Sequence, residues 1–225
     1  MIRKALTVLL LSLLAACSET GPPASREAPP VDSTPPAPKE AKAGTLTATI
    51  QVVDLSGAPQ AHMVPIVTKE PKAFAKPVKT GSATDHLGKG TIRFSADEHL
   101  FLRAWDPTLN YFPNNFYEVL AGGNQITDDL VIQMVPAAAL SVQLLLPDDT
   151  IAANMTIGLM LFHPTRGPWW PAEGTTDTDG FVTFAHLPAG EYVLRFKAAS
   201  GARLEYRQTA LPPGDRVDLG VLTLR

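Results

Sequence analysis

The residues with the clearest potential for chemistry are two closely spaced acids in the stretch TTDTDGFVTF. Asp177 and Asp179 precede Gly180, an arrangement typical both of calcium loops and of tight β-hairpin turns. A helix-loop-helix calcium loop needs oxygen ligands at positions 1, 3, 5 and 12. Counted from Asp177, positions 5 and 12 are Phe181 and Pro188, whose side chains carry no oxygen. The spacing therefore predicts a hairpin turn, in which Asp accepts hydrogen bonds from nearby backbone and Gly adopts positive φ.

The remaining candidates for acid–base or metal chemistry are scattered along the chain. The five histidines are His62, His86, His99, His163 and His186. None is spaced from another as in the H-x-H or H-E-x-x-H metal motifs. The chain also has no G-x-S-x-G elbow, no glycine-rich phosphate loop and no acid pair at a recognisable spacing. We therefore predict no catalytic residue, no metal site and no cofactor, and structural or solvated roles for the histidines.

Aromatic residues form two clusters that could bind a partner. Trp169 and Trp170 stand together in GPWWP, and a second cluster contains Trp105, Tyr111, Phe112, Phe116 and Tyr117. Exposed, such rings could stack on sugars or anchor a protein partner. Alternatively, they close the ends of folded domains or pack between them. Pro171 favours an extended Trp170, and successive side chains of an extended chain point to opposite sides. We expect one tryptophan to pack inward and the other to face outward as a contact residue.

The elements that would position these residues are predicted to be strands. One alternating apolar set is Leu46, Ala48, Ile50 and Val52, and another is Tyr192, Leu194 and Phe196. Apolar residues at every second position indicate half-buried strands. No segment sustains a helical period, and turn residues separate the strands. This pattern predicts an all-β fold of the sandwich type.

An internal repeat divides the region into two tandem parts. A shift of 92 residues matches Ile50 with Val142, Met63 with Met155, Thr84-Asp85 with Thr176-Asp177, Gly88 with Gly180, Leu102-Arg103 with Leu194-Arg195, and Leu130 and Ile132 with Leu222 and Leu224. An ungapped match from the first strand to the last predicts two domains, 44–136 and 137–225. The join at 136–139 is then the expected site of a weak proteolytic cut.

The order of these motifs resembles that of carboxypeptidase regulatory-like domains. The second half carries T-D-x-x-G from Thr176 and LPAGEY from Leu187, and the first half carries D-x-x-G-x-P from Asp54. The first half departs from the pattern at 96–98, where the P-A-G turn is missing. The resemblance implies a transthyretin-like Greek-key β-sandwich in each half. It also implies an accessory role, because such domains are mostly non-catalytic modules.

The start of the chain has the features of an export signal. Arg3 and Lys4 precede an apolar run over residues 5–14 that is too short to span a bilayer, as in a secretory signal peptide. The next residues, Leu14-Ala15-Ala16-Cys17, resemble the lipobox of bacterial lipoproteins. The resemblance implies a signal peptide over 1–16, lipidation of Cys17 and, because Ser18 follows, passage to the outer membrane.

A Pro-rich segment, 17–43, separates Cys17 from the repeats. Its composition predicts a disordered, polyproline-like tether, with a reach of up to about 80 Å at roughly 3.1 Å per residue. Loss of Arg3 and Lys4 with the signal would lower the net charge from −3 to −5. A negative chain of this kind argues against nucleic-acid binding.

These features predict a non-catalytic envelope lipoprotein held at the membrane by its lipid anchor. The predicted role is a protein-binding or assembly module on a flexible tether, with an envelope protein or complex as partner. The alternative is a carbohydrate-binding module that uses the loop aromatics. An enzyme is the third possibility, and the absence of a catalytic motif disfavours it.

Overall fold

The computed structural model describes residues 44–122 and 130–225, which belong to one compact unit. Every regular element in these residues is a β-strand. The strands are β1 (Thr45–Val53), β2 (Val64–Thr68), β3 (Pro77–Thr80), β4 (Lys89–Ser95), β5 (Leu100–Trp105), β6 (Tyr111–Pro113), β7 (Tyr117–Val119), β8 (Leu130–Pro136), β9 (Ala138–Leu145), β10 (Thr156–His163), β11 (Gly167–Thr175), β12 (Phe181–Leu187), β13 (Gly190–Ala198), β14 (Arg203–Leu211) and β15 (Arg216–Thr223). The predicted all-β fold is confirmed.

The segments predicted to export and anchor the protein fall outside this region. The signal peptide, its lipobox residues Leu14, Ala15 and Ala16, the lipidated Cys17 and the tether over 17–43 all lie outside the described residues. Within the described part of the chain, no helix is long and apolar enough to cross a membrane.

The first sandwich consists of two four-stranded sheets. Their strand orders are β4-β1-β8-β6 and β3-β2-β5-β7. β1 and β8 run parallel, whereas the other neighbours are antiparallel. The inward side chains of both sheets, including Ile50, Ile132 and Leu102, form one buried core. The alternation predicted for β1 is confirmed, because Ala48, Ile50 and Val52 are each at most 1% exposed.

The second sandwich repeats this arrangement with three strands opposite four. Its sheets have the orders β12-β9-β15 and β11-β10-β13-β14, and here β9 and β15 are the parallel pair. Leu144 and Phe184 from one sheet meet Leu194 and Phe196 from the other in a shared core. The predicted inward set of β13 is confirmed, since Tyr192, Leu194 and Phe196 are all buried. Both halves are therefore β-sandwiches, as predicted.

A buried threonine fixes the same loop in each sandwich. Thr84 Oγ1 accepts the backbone N–H of Met63 at 2.9 Å and donates to the carbonyl of Gln60 at 2.7 Å. Thr176 makes the equivalent bonds in the second sandwich, accepting from Met155 at 2.9 Å and donating to a backbone carbonyl. Since buried polar groups must be satisfied, each threonine fixes the chain just before its tight turn.

The stretch TTDTDGFVTF forms a tight turn that connects β11 and β12, which lie in different sheets, so it does not close a β-hairpin. Asp177 Oδ1 accepts the backbone N–H groups of Asp179 and Phe181, both at 2.9 Å. Asp85 Oδ1 accepts two backbone N–H groups at the matching positions, also at 2.9 Å. Gly180 has a φ of 79°, and a Cβ there would lie 2.7 Å from a carbonyl oxygen of β9. Only glycine fits that backbone, so the predicted tight turn is confirmed, whereas the predicted pairing of its flanking strands is wrong.

The predicted ungapped alignment of the two halves is wrong beyond the first tight turn. The shift of 92 residues holds for the pairing of β1 with β4 and of β9 with β12. In the first sandwich, Leu102 of β5 faces Val67 of β2. The residue that matches Val67 under this shift is Leu159, and it faces Phe196 of β13. The prediction had matched Leu102 with Leu194. The connection into β5 is two residues shorter than its counterpart, which carries the P-A-G turn. β15 also has an irregularity in its pairing with β9 that β8 lacks.

The join between the sandwiches is packed rather than exposed. β8 ends at Pro136 and β9 begins at Ala138, which is 2% exposed. The N–H of Ala137 between them donates to the carbonyl of Asn110 at 2.7 Å. This packing argues against the weak cut predicted at 136–139, and we expect the segment to resist proteases.

Candidate functional site: a cleft between the two sandwiches

The two aromatic clusters meet where the sandwiches pack against each other. Trp170, on β11, is 8% exposed. Its ring centroid lies 5.0 Å from that of Phe112 in an edge-to-face contact and 6.3 Å from that of Trp105. Edge-to-face aromatic pairs at such separations are favourable beyond the area they bury. Trp170, Phe112 and Trp105 thus form the contact between the halves, as the packing alternative proposed.

Trp169 lies at a β-bulge in the pairing of β10 with β11 and packs against the same core cluster as Trp170, at the edge of this contact. It is half-buried, and its ring centroid is 5.4 Å from that of His163. The guanidinium carbon of Arg166 lies 5.2 Å from the Trp169 ring and 4.6 Å from the ring of Phe116, which belongs to the first sandwich. The inward position predicted for one tryptophan is confirmed for Trp170, but the outward position predicted for the other is wrong, because Trp169 packs against the same core. The more exposed ring is in contact with its neighbours rather than projecting free.

Tyr111 and Tyr117 lie apart from this edge. Both are partly buried and pack on the core of the first sandwich. The Tyr117 hydroxyl donates to the carbonyl of Val131 at 2.9 Å and accepts the N–H of the same residue at 3.1 Å. It bonds the edge of β8 outside the residues Met134, Val135 and Pro136 that pair with β6. Their positions give these two tyrosines packing roles, so the structure brings together five of the seven predicted aromatics.

A loop after β5 fixes the orientation of the contact. Asp106 is 4% exposed, and its carboxylate accepts five hydrogen bonds from Thr108, Asn110 and Tyr111 at 2.7–3.0 Å. The bonds hold Leu109, which packs on the core of the second sandwich. A carboxylate with several donors is well suited to shape a tight loop. Asp106 therefore serves architecture here.

Between the sandwiches, beside the aromatic contact, lies a cleft of about 260 Å³. Its lining includes the aromatic residues Phe112, Phe116, Trp169 and Tyr192 and the cations Arg103 and Arg166. No Asp, Glu, Lys, Ser, Thr or Cys is among the described residues that line it. The cleft is therefore aromatic and positively charged, and it is formed by both sandwiches together.

Arg103 is the most unusual residue of the cleft. It is 3% exposed, although it lies on a strand whose other residues are apolar. Nη1 donates to the carbonyl of Ala73 at 2.8 Å and Nη2 to that of Ala75 at 3.3 Å. Nε has no hydrogen-bond partner among the described residues. Burial lowers the pKa of Arg103 to about 10, so the guanidinium remains charged at neutral pH.

The two titratable rings of the cleft are uncharged at neutral pH. Burial lowers the pKa of His163, and the nearby Arg166 lowers it further. Burial raises the pKa of Tyr192, whose hydroxyl donates to the carbonyl of Ala189 at 3.1 Å. Desolvation disfavours the charged form of each group. The net charge of the cleft is therefore set by its two arginines.

The acids of the two tight turns do not assemble a metal site in the described part of the chain. Within residues 44–122 and 130–225, no three His, Cys, Asp or Glu side chains come close enough to hold an ion together. Asp177 uses Oδ1 for two backbone N–H groups. The turn and the cleft are thus separate features, and Asp177 serves the turn.

Sequence reasoning missed the cations of the cleft. Arg103 gave one signal, since it is a lone charge within the apolar stretch LFLRAW. A strand buried on both faces reads as a nearly continuous apolar run, so a charge inside it marks an exceptional environment. Arg166 gave none, because an arginine in a hairpin loop is ordinary.

Comparisons with known proteins identify β-rich structures of low similarity. No protein-family model matches the chain, and no curated protein sequence matches it. The chain is similar to GBS52, the minor pilin of Streptococcus agalactiae, at 15% identity over 79% of this chain and 95% of the pilin, with a TM-score of 0.42. It is also similar to a streptococcal ancillary pilin, at 13% identity over 80% of this chain and 62% of that one, with a TM-score of 0.39. A third similar structure is the shaft pilin SpaA of Lactobacillus rhamnosus GG, at 7% identity over 81% of this chain and 98% of the pilin, with a TM-score of 0.31. Similarity at this level does not extend to function.

Proposed function

We propose that this protein is a non-catalytic envelope lipoprotein whose interdomain cleft contacts a partner protein. In this proposal, Cys17 carries the lipid anchor at the outer membrane and residues 17–43 form the tether. The two carboxypeptidase regulatory-like sandwiches, 44–136 and 137–225, then act as one binding module. An acyl anchor of two or more chains is sufficient for lasting membrane attachment.

The observation that carries the proposal is the contact of Arg166 with Phe116 across the two sandwiches. The guanidinium of the second sandwich lies 4.6 Å from a ring of the first, next to the half-buried Trp169. Arginine and aromatic side chains are the residues that most often anchor protein interfaces. Because packing already holds them, little side-chain entropy is lost when a partner binds.

The composition of the cleft favours binding over catalysis. Its described lining offers no hydroxyl or thiol nucleophile other than the Tyr192 phenol, whose pKa burial raises, and no carboxylate. General acid–base catalysis needs a group that titrates near the working pH within reach of the substrate. His163 is the one such group, and no described acid in the cleft orients it.

A protein partner is favoured over a sugar by the state of the Trp169 ring. Sugar recognition by stacking needs an open aromatic face, whereas Arg166 and His163 both approach this ring within 5.4 Å. Trp170 is buried against Phe112 and offers no face at all. The glycan alternative would predict binding on a glycan array that Trp169→Ala abolishes.

The anchor is tested by fractionating cells that carry Cys17→Ser. We expect the variant to leave the membrane pellet and appear in the soluble fraction, because the only proposed attachment is removed. Ser18→Ala serves as the matched control and should remain membrane-bound. Membrane retention of the Cys17 variant would contradict the lipoprotein part of the proposal.

The binding role is tested by capture from detergent-solubilised envelopes. Residues 44–225 are immobilised as the wild type, as the double variant Phe116→Ala and Arg166→Ala, and as the control Arg93→Ala, whose side chain is exposed on β4. A specific partner should be retained by the wild type and the control and lost by the double variant. Equal capture by all three proteins would place binding outside the cleft.

A further inference from the structure

The buried guanidinium of Arg103 is the feature of the cleft that packing alone does not explain. The two bonds to Ala73 and Ala75 use two of its five N–H groups, and Nε has no partner among the described residues. No carboxylate in the described chain forms an ion pair with it. Buried charges in proteins are normally paired.

The rest of the cleft adds positive charge and no compensation. Arg166 is a second cation at the exposed edge, and it lies over the rings of Phe116 and Trp169 rather than beside an acid. His163 and Tyr192 are uncharged at neutral pH because burial shifts their pKa values in opposite directions. A cleft with one sign of charge and low-dielectric walls attracts ligands of the opposite sign.

We propose that the cleft binds a carboxylate group of a peptide, supplied by an acidic side chain or by the chain end of a partner protein. The proposal rests on the binding role proposed above. Arginine presents its N–H groups in a planar fork that matches a carboxylate. A chain-terminal carboxylate is a known mode of peptide capture.

The size of the cleft limits what it can take. Its volume of about 260 Å³ is below the roughly 300–1,000 Å³ of sites for drug-sized ligands. It therefore suits a single small side chain or a chain end, with the aromatic rings beside it covering the neighbouring apolar atoms. A folded domain or a long sugar chain would contact only its mouth.

The test is an NMR titration of residues 44–225 with short peptides that differ in one carboxylate. The probes are acetylated Ala-Glu-Ala amide, acetylated Ala-Gln-Ala with a free chain end, and the neutral acetylated Ala-Gln-Ala amide. Digalacturonate and inorganic phosphate supply the same negative charge from other sources. The readout is the side-chain N–H resonance of each arginine together with the backbone shifts of cleft residues.

We expect at least one of the two charged peptides to move the Arg103 and Arg166 signals and the neutral peptide to bind about tenfold more weakly, since a charge-assisted hydrogen bond is lost. Arg166→Gln should weaken the charged peptide by about tenfold as well. Arg93→Gln should leave the affinity unchanged. Because Arg166 is exposed, its variant tests the site even where Arg103→Met fails to fold.

Several results would overturn the inference. These are equal binding of the charged and neutral peptides, unchanged affinity in Arg166→Gln, and binding of digalacturonate or phosphate without either charged peptide. A partner that is captured through Phe116 and Arg166 while no peptide carboxylate binds would reject this inference alone. Loss of dependence on the cleft in the capture experiment would instead reject the proposed function.

Discussion

The two sandwiches differ most at a strand that occupies the same place in both. β13 of the second sandwich alternates between buried and exposed residues, and its Arg195 pairs with Glu205 at 2.8 Å on the surface. β5 of the first sandwich is buried on both faces, and its Arg103 is 3% exposed. The difference arises from what covers the outer face. β13 faces solvent there, whereas the outer side of β5 carries residues that face the second sandwich and the segment around Ala73.

This comparison separates the features that the two sandwiches share from the one that only the first has. The same turn is fixed in both sandwiches, by Thr84 and Asp85 in the first and by Thr176 and Asp177 in the second. The covered outer face, by contrast, is found on β5 and not on β13. Function is therefore expected where the sandwiches differ, and the shared features are expected to determine stability.

The largest effect should come from the aromatic contact between the sandwiches. Trp170→Ala should lower the free energy of unfolding by about 3–5 kcal/mol, as for other buried large-to-small changes of aromatic residues. Trp169→Ala, at a half-buried position, should cost about 1 kcal/mol. Urea denaturation of both variants measures the difference. Equal and large losses would show that both rings are core residues and would remove Trp169 from the binding site.

The hydroxyls of Thr84 and Thr176 should contribute equally to the stability of the two sandwiches. Thr84→Val and Thr176→Val each remove a hydroxyl that satisfies a buried N–H and a buried carbonyl, and each should cost about 1–3 kcal/mol. Thr183→Val, on the exposed face of β12, is the control and should change little. Values that differ strongly between Thr84 and Thr176 would contradict the view that this feature is shared.

A smaller effect is expected from acid. The backbone N–H of Lys89 holds the pKa of Asp85 below its usual 3.8, and the Ser56 hydroxyl does the same for Asp54. A carboxylate with a lowered folded pKa contributes stability above its unfolded pKa, and this contribution is lost as the pH falls through the folded value. Stability should therefore decrease below about pH 4. Asp85→Asn should make that decrease shallower, which a series of urea melts from pH 6 to pH 2.5 would detect. An identical slope in the variant would show that Asp85 has no part in it.

Calcium should have no effect on either sandwich. A ligand at 100 times its dissociation constant would raise the stability by about 2.7 kcal/mol, which a thermal melt would reveal. We expect no shift, because Asp177 already uses Oδ1 for two backbone N–H groups. A calcium-dependent increase that Asp179→Ala abolishes would show that the turn also binds metal.

The parts of the structure that could be predicted are those specified locally. Period-2 alternation predicts the strands, and the Asp–Gly spacing predicts the turn around Gly180, because both depend on neighbours in the chain. The register of β13 was not predictable from an ungapped shift, since a two-residue difference in one connection preserves the alternation. The cleft was not predictable either. Burial of Arg103 depends on which faces of the two sandwiches meet, and no local pattern encodes that contact.

We expect the cleft between the sandwiches, and not another surface, to contact the partner. The most direct test places the photo-crosslinker p-benzoylphenylalanine at Phe116 in one variant of the full chain and at Phe181 in another. Phe181 is 48% exposed on β12 and serves as a reference outside the cleft. We predict a defined crosslinked adduct in intact cells from position 116, its loss on adding Arg166→Gln, and none from position 181. An adduct from position 181 alone, or one from position 116 that persists with Arg166→Gln, would show that the partner does not bind in the cleft.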